Sequence, residues 1–265
     1  MVIKSINEIK SAHQTLFKPI KEKMDVYIPD IINENISRRN GMVYVLTGSG
    51  GSGKSSLLLN MFKSKNFYRN KFHHVHYFCP QSSFLSVKSH PFENHDKVHH
   101  ELNASILQEI YGQLNAIKEE FAEKKEKKEK AYEDDESDSQ DEDKKPQYSC
   151  IIIDDFADAL KDKALALFLS KMIIKARHLC CSFIFTLQSY HYMPKLLRKQ
   201  ITYTTIFKPK NYAEWESLGV ELMNLSKNDS LKVYNYVFNE NYNHIDIDLI
   251  SNTFYKNFNL LQIES

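Results

Sequence analysis

Glycine is scarce in this chain, with seven residues in 265. Four of them, Gly48, Gly50, Gly51 and Gly53, fall within one stretch, LTGSGGSGKSS (46–56). So low a content excludes a collagen-like or glycine-rich linker architecture and makes the cluster a local requirement. Cysteine is rarer still. Cys79, Cys150, Cys180 and Cys181 form no C-x-x-C, which excludes a zinc ribbon or a thioredoxin-type redox pair. Most lie in apolar, strand-like runs and are expected to be reduced core residues. No apolar run approaches the roughly eighteen residues of a spanning helix. The opening MVIKSINEIKSAH lacks a signal peptide's apolar segment, so a soluble, intracellular setting is expected.

Charge of one sign is also missing overall, the net being +1. This balance hides a local imbalance. Residues 123–145 carry eleven acidic side chains and seven lysines, leaving 28 Lys/Arg against 23 Asp/Glu elsewhere, a net of +5. A mildly basic remainder permits nucleic-acid contact without requiring it. The charged run cannot bury apolar area; its first part can extend a preceding helix by Glu–Lys pairing, and disorder is expected for the acidic remainder. A solvated surface insertion at 123–147 is the simplest account. The histidines between His73 and His100 show no zinc-ligand spacing, although His74 and His76 share a strand face.

What is present is an alternation of strand and helix patterns. Residues 1–40 are expected to be an irregular lead-in or a short helix. Strands are expected at 42–47, 72–79, 149–156, 180–187 and 203–208. Helical patterns lie at 54–62, 103–122, 163–178, 194–200, 212–223 and 227–239, and residues 244–258 alternate like a terminal strand or hairpin. The pattern predicts an α/β fold with a mainly parallel central sheet flanked by helices, over one domain at 41–265.

The glycine cluster fits G-x-x-x-x-G-K-[ST] between a predicted strand and a predicted helix, the context this motif needs. Binding a triphosphate by backbone N–H groups demands a tight turn and no Cβ between chain and phosphate. Gly48, Ser49, Gly50, Gly51, Ser52 and Gly53 supply the loop, and Lys54, Ser55 and Ser56 open the helix. Lys54 is expected on the β- and γ-phosphates of ATP, and Ser55 on Mg²⁺. The second half of such a site is an apolar strand ending in acid. Ile151-Ile152-Ile153-Asp154-Asp155 supplies it, with Asp154 expected to hold Mg²⁺ through water and Asp155 to polarise the attacking water. Gln188, just past the strand at 180–187, is placed beside the phosphate crevice, where an amide can sense the γ-phosphate or orient water.

With TLQSYHYMPKLLRKQITYTTIFKPKN (186–211) and DIDLISNTFYKNF (246–258), these segments resemble the viral genome-packaging ATPases of the FtsK–HerA superfamily. The likeness is to the branch found in poxviruses, giant viruses and virophages. The resemblance implies a RecA/FtsK-like P-loop NTPase that hydrolyses ATP and drives double-stranded DNA into preformed capsids. It further implies a homo-oligomeric ring, usually a hexamer, that engages capsid or virion vertex proteins in the host cytoplasm. The family uses an arginine finger from the neighbouring subunit, and Arg198 is the position matching it, with Arg38, Arg39 and Arg177 as weaker matches. One departure is Asp155, where many P-loop ATPases have glutamate. Two other functions fit a bare P-loop: a nucleotide-gated assembly scaffold and a small-molecule kinase.

Overall fold

A computed structural model describes residues 27–131 and 146–262. The first part of the lead-in, the amino-terminal stretch weighed as a leader, and the acidic remainder of the charged run lie outside the described residues.

Among the described residues, nine strands form one sheet in the order β3-β2-β4-β5-β1-β6-β7-β8-β9. The strands are β1 (Val43–Thr47), β2 (His74–Phe78), β3 (Val98–His99), β4 (Ser149–Asp154), β5 (Cys181–Leu187), β6 (Tyr203–Phe207), β7 (His244–Asp248), β8 (Thr253–Lys256) and β9 (Asn259–Leu261). Strands β3 to β6 pair in parallel, while β7, β8 and β9 are added antiparallel at one edge. The central strands are buried throughout, as near-continuous apolar runs such as CIII require.

Side-chain alternation divides the core into two layers. Val43 and Val45 of β1, Ile151 and Ile153 of β4, and Phe183 and Phe185 of β5 face one cluster. That cluster also holds residues of α3 (Ala104–Ala131), α4 (Lys163–Ile174), α6 (Tyr212–Met223) and α7 (Lys227–Val237). Tyr44, Leu46, Ile152 and Ile184 face the other cluster, with α1 (Lys54–Lys63). Two short helices, α2 (Gln81–Leu85) and α5 (Lys195–Arg198), lie in the connections that follow β2 and β5.

Several expectations need adjusting. The later part of the lead-in is not a loose segment, because Ile28, Ile31 and Ile36 are buried in the second core layer and Tyr27 bridges to Arg39. The expected helix at 163–178 stops at Ile174, beyond which turns return the chain to β5. The terminal hairpin is three strands, held by a buried carboxylate. Asp246 Oδ1 accepts from Thr205 Oγ1 at 2.5 Å and from His244 Nδ1 at 2.9 Å, and Oδ2 accepts from the Phe258 N–H at 2.9 Å. Since the Thr205 hydroxyl is committed to Asp246, Tyr44 donates to it in turn, at 2.7 Å. All four cysteines are buried. Helix α3 takes in the first part of the charged run, extending through residue 131.

Candidate functional site: a phosphate loop facing two acids

The loop between β1 and α1 is shaped by contacts that only glycine permits. A Cβ on Gly48 would lie 2.7 Å from both Phe207 Cβ and Ser52 Oγ. Gly53 is the N-cap of α1 with φ +104°, a conformation L side chains rarely adopt. The loop is fastened to the neighbouring strand by the Gly48 N–H, which donates to the Leu187 carbonyl at 3.2 Å. The first N–H groups of α1 have no acceptor within the helix, so they and the helix dipole favour an anion there.

Lys54 folds back over this loop. Its ammonium donates to the carbonyls of Gly48 at 2.7 Å and Ser49 at 3.0 Å. Burial lowers its pKa from the ordinary lysine value, opposed by the charges of Asp155 and Asp154.

The acids approach from β4, two strands away across β5. Asp154, buried at the strand's end, is gripped from three sides. Tyr77 donates its hydroxyl to Oδ2 at 2.7 Å, Thr186 donates to Oδ1, and Ser55 Oγ reaches Oδ1 at 3.4 Å. Burial, and then the Asp154 charge, push the Tyr77 phenol far above its ordinary pKa, so it remains a donor. The Ser55 contact brings together residues 99 positions apart. Asp155 turns out of the strand with φ +61°, exposed, its N–H donating to Thr186 Oγ1 at 3.2 Å. Aspartate tolerates this left-handed geometry better than most side chains.

Gln188 is exposed immediately after β5. With Asp155, Phe156, Asp158 and Tyr192 it lines a cavity of about 400 Å³. Lys54, Ser55, Asp154, Asp155 and Gln188 therefore converge at the carboxyl edge of the parallel strands, where ligands of open α/β sheets bind. Arg198 is placed differently. Its guanidinium contacts Glu221 of α6 and His191 Nδ1, each at 3.2 Å, and lies 5.6 Å from the Tyr190 ring centre, with the side chain 12% exposed. Its partners among the described residues belong neither to the phosphate loop nor to the acids.

Tyr77 and Thr186, which hold the Asp154 carboxylate, are the side chains at this site that the motifs do not mark. Both sit inside strands and look like ordinary core positions; only the β2–β4 and β4–β5 registers bring them to Asp154. The signal available was that a polar Thr186 interrupts the apolar run of β5. His74 and His76 do not act together: His74 Nε2 meets Gln147 Oε1 at 2.8 Å, whereas His76 Nδ1 lies 3.3 Å from His99 Nε2, with burial pushing the His76 pKa down to about 3. Among the described residues no group of three or more His, Cys, Asp or Glu is arranged to hold a metal.

The family model described as Poxvirus A32 protein matches residues 33–260. The chain belongs to that family. None of the curated proteins is similar enough in sequence to count as a relative of this A32-family chain. Among solved structures, it is similar to B204, the DNA-packaging ATPase from Sulfolobus turreted icosahedral virus. The two share 15% identity over 84% of this chain and 98% of that one, with a TM-score of 0.55. It is also similar to the type VII secretion ATPase EccC of Thermomonospora curvata. The cytoplasmic domain gives 14% identity over 91% of this chain and 26% of that one, TM-score 0.52. EccC ATPases 2 and 3 in complex with a signal sequence peptide give 13% over 92% and 42%, TM-score 0.53. At these identities the likeness is one of fold, a mixed α/β arrangement around a mostly parallel central sheet. No helix among the described residues is long and apolar enough to cross a membrane.

Proposed function

We propose that this chain is an ATP-hydrolysing motor that moves viral double-stranded DNA into preformed capsids. The observation that carries the reading is the convergence of Lys54, Ser55, Asp154, Asp155 and Gln188 at one sheet edge, in a chain of the A32 family. The similarity to a protein described as a DNA-packaging ATPase supports the choice of DNA as the load.

The loop N–H groups and Lys54 would hold the triphosphate, Lys54 exchanging its two loop carbonyls for phosphate oxygens. The donor set suits Mg²⁺, since the Ser55 hydroxyl and the Asp154 carboxylate are hard oxygen ligands held 3.4 Å apart. Ser55 would ligate the ion and Asp154 would hold it through water; when bound it neutralises charge on the phosphates. Asp155 would polarise the attacking water and Gln188 would orient it. The water oxygen bonds to the γ-phosphorus as the bridging bond to the β-phosphate breaks, releasing ADP and phosphate.

Arg198 is proposed to act on the site of a neighbouring subunit in a homo-oligomeric ring, a hexamer by family resemblance. Because Glu221 holds it within its own chain, engagement would exchange that carboxylate for the neighbour's nucleotide. The ring is proposed to work in the host cytoplasm against a capsid vertex.

The test is the ATPase rate with and without double-stranded DNA, for wild type and Lys54→Ala. Hydrolysis stimulated by DNA and lost in the variant is expected. Nucleotide binding without hydrolysis under any condition would overturn the motor and favour a scaffold.

A further inference from the structure

The phosphate loop has two unlike sides. Lys54 and Ser55 look toward β4 and its acids, the hydrolytic side. The outer rim, Ser49 to Ser52, borders a separate cavity of about 470 Å³ on the β6–β7 side. Its other walls are Phe207 at the end of β6 with the Lys208–Lys210 segment that follows, and the Glu240–Asn243 segment before β7.

Tyr242 stands in that cavity and has two unusual properties. It is 71% exposed, and its backbone is left-handed at φ +66°. A bulky residue with positive φ is an outlier, and such geometry concentrates at functional sites. The ring lies against the phosphate loop: a Cβ built on Gly53 would sit 3.4 Å from Tyr242 Cδ1 and equally far from Phe207 Cε1. The segment is anchored just beyond, where Asn243 Nδ2 donates to Asn239 Oδ1 at 2.9 Å and Asn257 Nδ2 donates to Asn243 Oδ1 at 2.8 Å. An exposed aromatic face is thus held in place beside the loop instead of collapsing into the core.

We propose that this cavity is a nucleobase seat, in which Tyr242 stacks on the base of the nucleotide whose phosphates occupy the loop. The inference rests on the phosphate reading above and adds to it where the base goes and what holds it. A nucleotide with its terminal phosphate toward Asp154 places its base on the far side of the loop, where Tyr242 waits. The Asn241 amide at the rim offers both a donor and an acceptor to a base edge. Stacking recognises any planar base but gains with area, so the preferred ligands are purine nucleoside triphosphates, with little choice between adenine and guanine.

The experiment is calorimetric titration of the full chain with a non-hydrolysable ATP analogue and, separately, with inorganic tripolyphosphate. Tyr242→Ala should weaken the analogue roughly ten- to hundredfold, the worth of one base stack, and leave tripolyphosphate affinity as in wild type. Tyr242→Phe should keep most of the analogue affinity. Tyr242→Gly, which accepts φ +66° without strain, should lose as much as the alanine variant, because the ring and not the backbone is what binds. Unchanged analogue affinity in Tyr242→Ala would overturn the seat, as would equal loss of both ligands. Lys54→Ala should weaken both ligands. If wild type binds neither ligand, the phosphate reading itself fails and the seat with it.

Discussion

The hydroxyl of Tyr77 donates to Asp154 Oδ2 at 2.7 Å, from a strand that contributes no motif residue of its own. With Thr186 and Ser55 on the other oxygen, the carboxylate is fixed in orientation before any ligand arrives. Partners of this kind set how well a metal-binding carboxylate performs.

Removing that hydroxyl should therefore impair metal use while sparing the fold. Tyr77→Phe is expected to raise the Mg²⁺ concentration for half-maximal ATP hydrolysis by roughly tenfold or more, with nucleotide binding in the absence of metal unchanged. A magnesium titration of the steady-state rate checks it.

Lys54 gives a pH signature with a defined sign. Its pKa is lowered in the folded chain, so the unfolded chain holds that proton to higher pH, and folded stability gains as pH rises through the lowered value. The melting temperature of ligand-free wild type should thus climb relative to Lys54→Met between neutral and alkaline pH. Nucleotide affinity should move the opposite way, falling as the ammonium deprotonates, while the weak residual binding of Lys54→Ala stays flat. Thermal melts and titrations across pH are the measurements.

Asp155 occupies a left-handed position and makes its hydrogen bond through the backbone N–H. Asparagine accepts the same φ, so Asp155→Asn should melt like wild type and bind nucleotide normally. Hydrolysis should fall by roughly a hundredfold or more if the carboxylate polarises water. Equal loss of binding and hydrolysis would instead indicate a structural role.

Arg198 and Glu221 separate a finger from a surface brace. Arg198→Ala should retain nucleotide binding and lose most ring-dependent hydrolysis. Glu221→Gln, which weakens the competing intrachain pair, should retain hydrolysis or increase it. Activity lost in both variants, with parallel drops in melting temperature, would assign the pair to stability alone. In rings mixing Arg198→Ala with Asp155→Asn chains, some activity should return, because a fraction of the interfaces regains both intact groups.

Asp246 tests the added antiparallel edge. Alanine there would leave the Thr205 hydroxyl, the His244 imidazole and the Phe258 N–H without their acceptor. A loss of about 3 kcal/mol or more is expected for a buried charged acceptor of this kind, readable by denaturant unfolding.

The phosphate loop and the acid strand were legible in the residues because each is a local pattern. A glycine turn between a strand and a helix, and β-branched residues ending in aspartate, carry their meaning within a few positions. Tyr77 and Thr186 were not legible, since their role exists only through the register of neighbouring strands. Nor was the burial of Ile28, Ile31 and Ile36, three apolar side chains spread through a polar lead-in with two prolines. The carboxyl-terminal alternation announced strands but not their number. Arg198 was recognisable as a position, but its hold on Glu221 depends on where α6 packs.

Strand β5 lies between the strand that leads into the phosphate loop and the strand that bears the acids. It touches the first through the Leu187 carbonyl and the second through Thr186, then exposes Gln188. The same stretch continues through Ser189, which donates to Glu214 of α6 at 2.6 Å, and the buried Tyr190 and Met193, to α5 and Arg198. Loop and acids are thus hydrogen-bonded to the end of β5, and the amide and the arginine follow it along the same chain segment. Under the proposed function, the six residues from Ser189 to Pro194 are the direct chain link by which a change at Gln188 would be felt at α5.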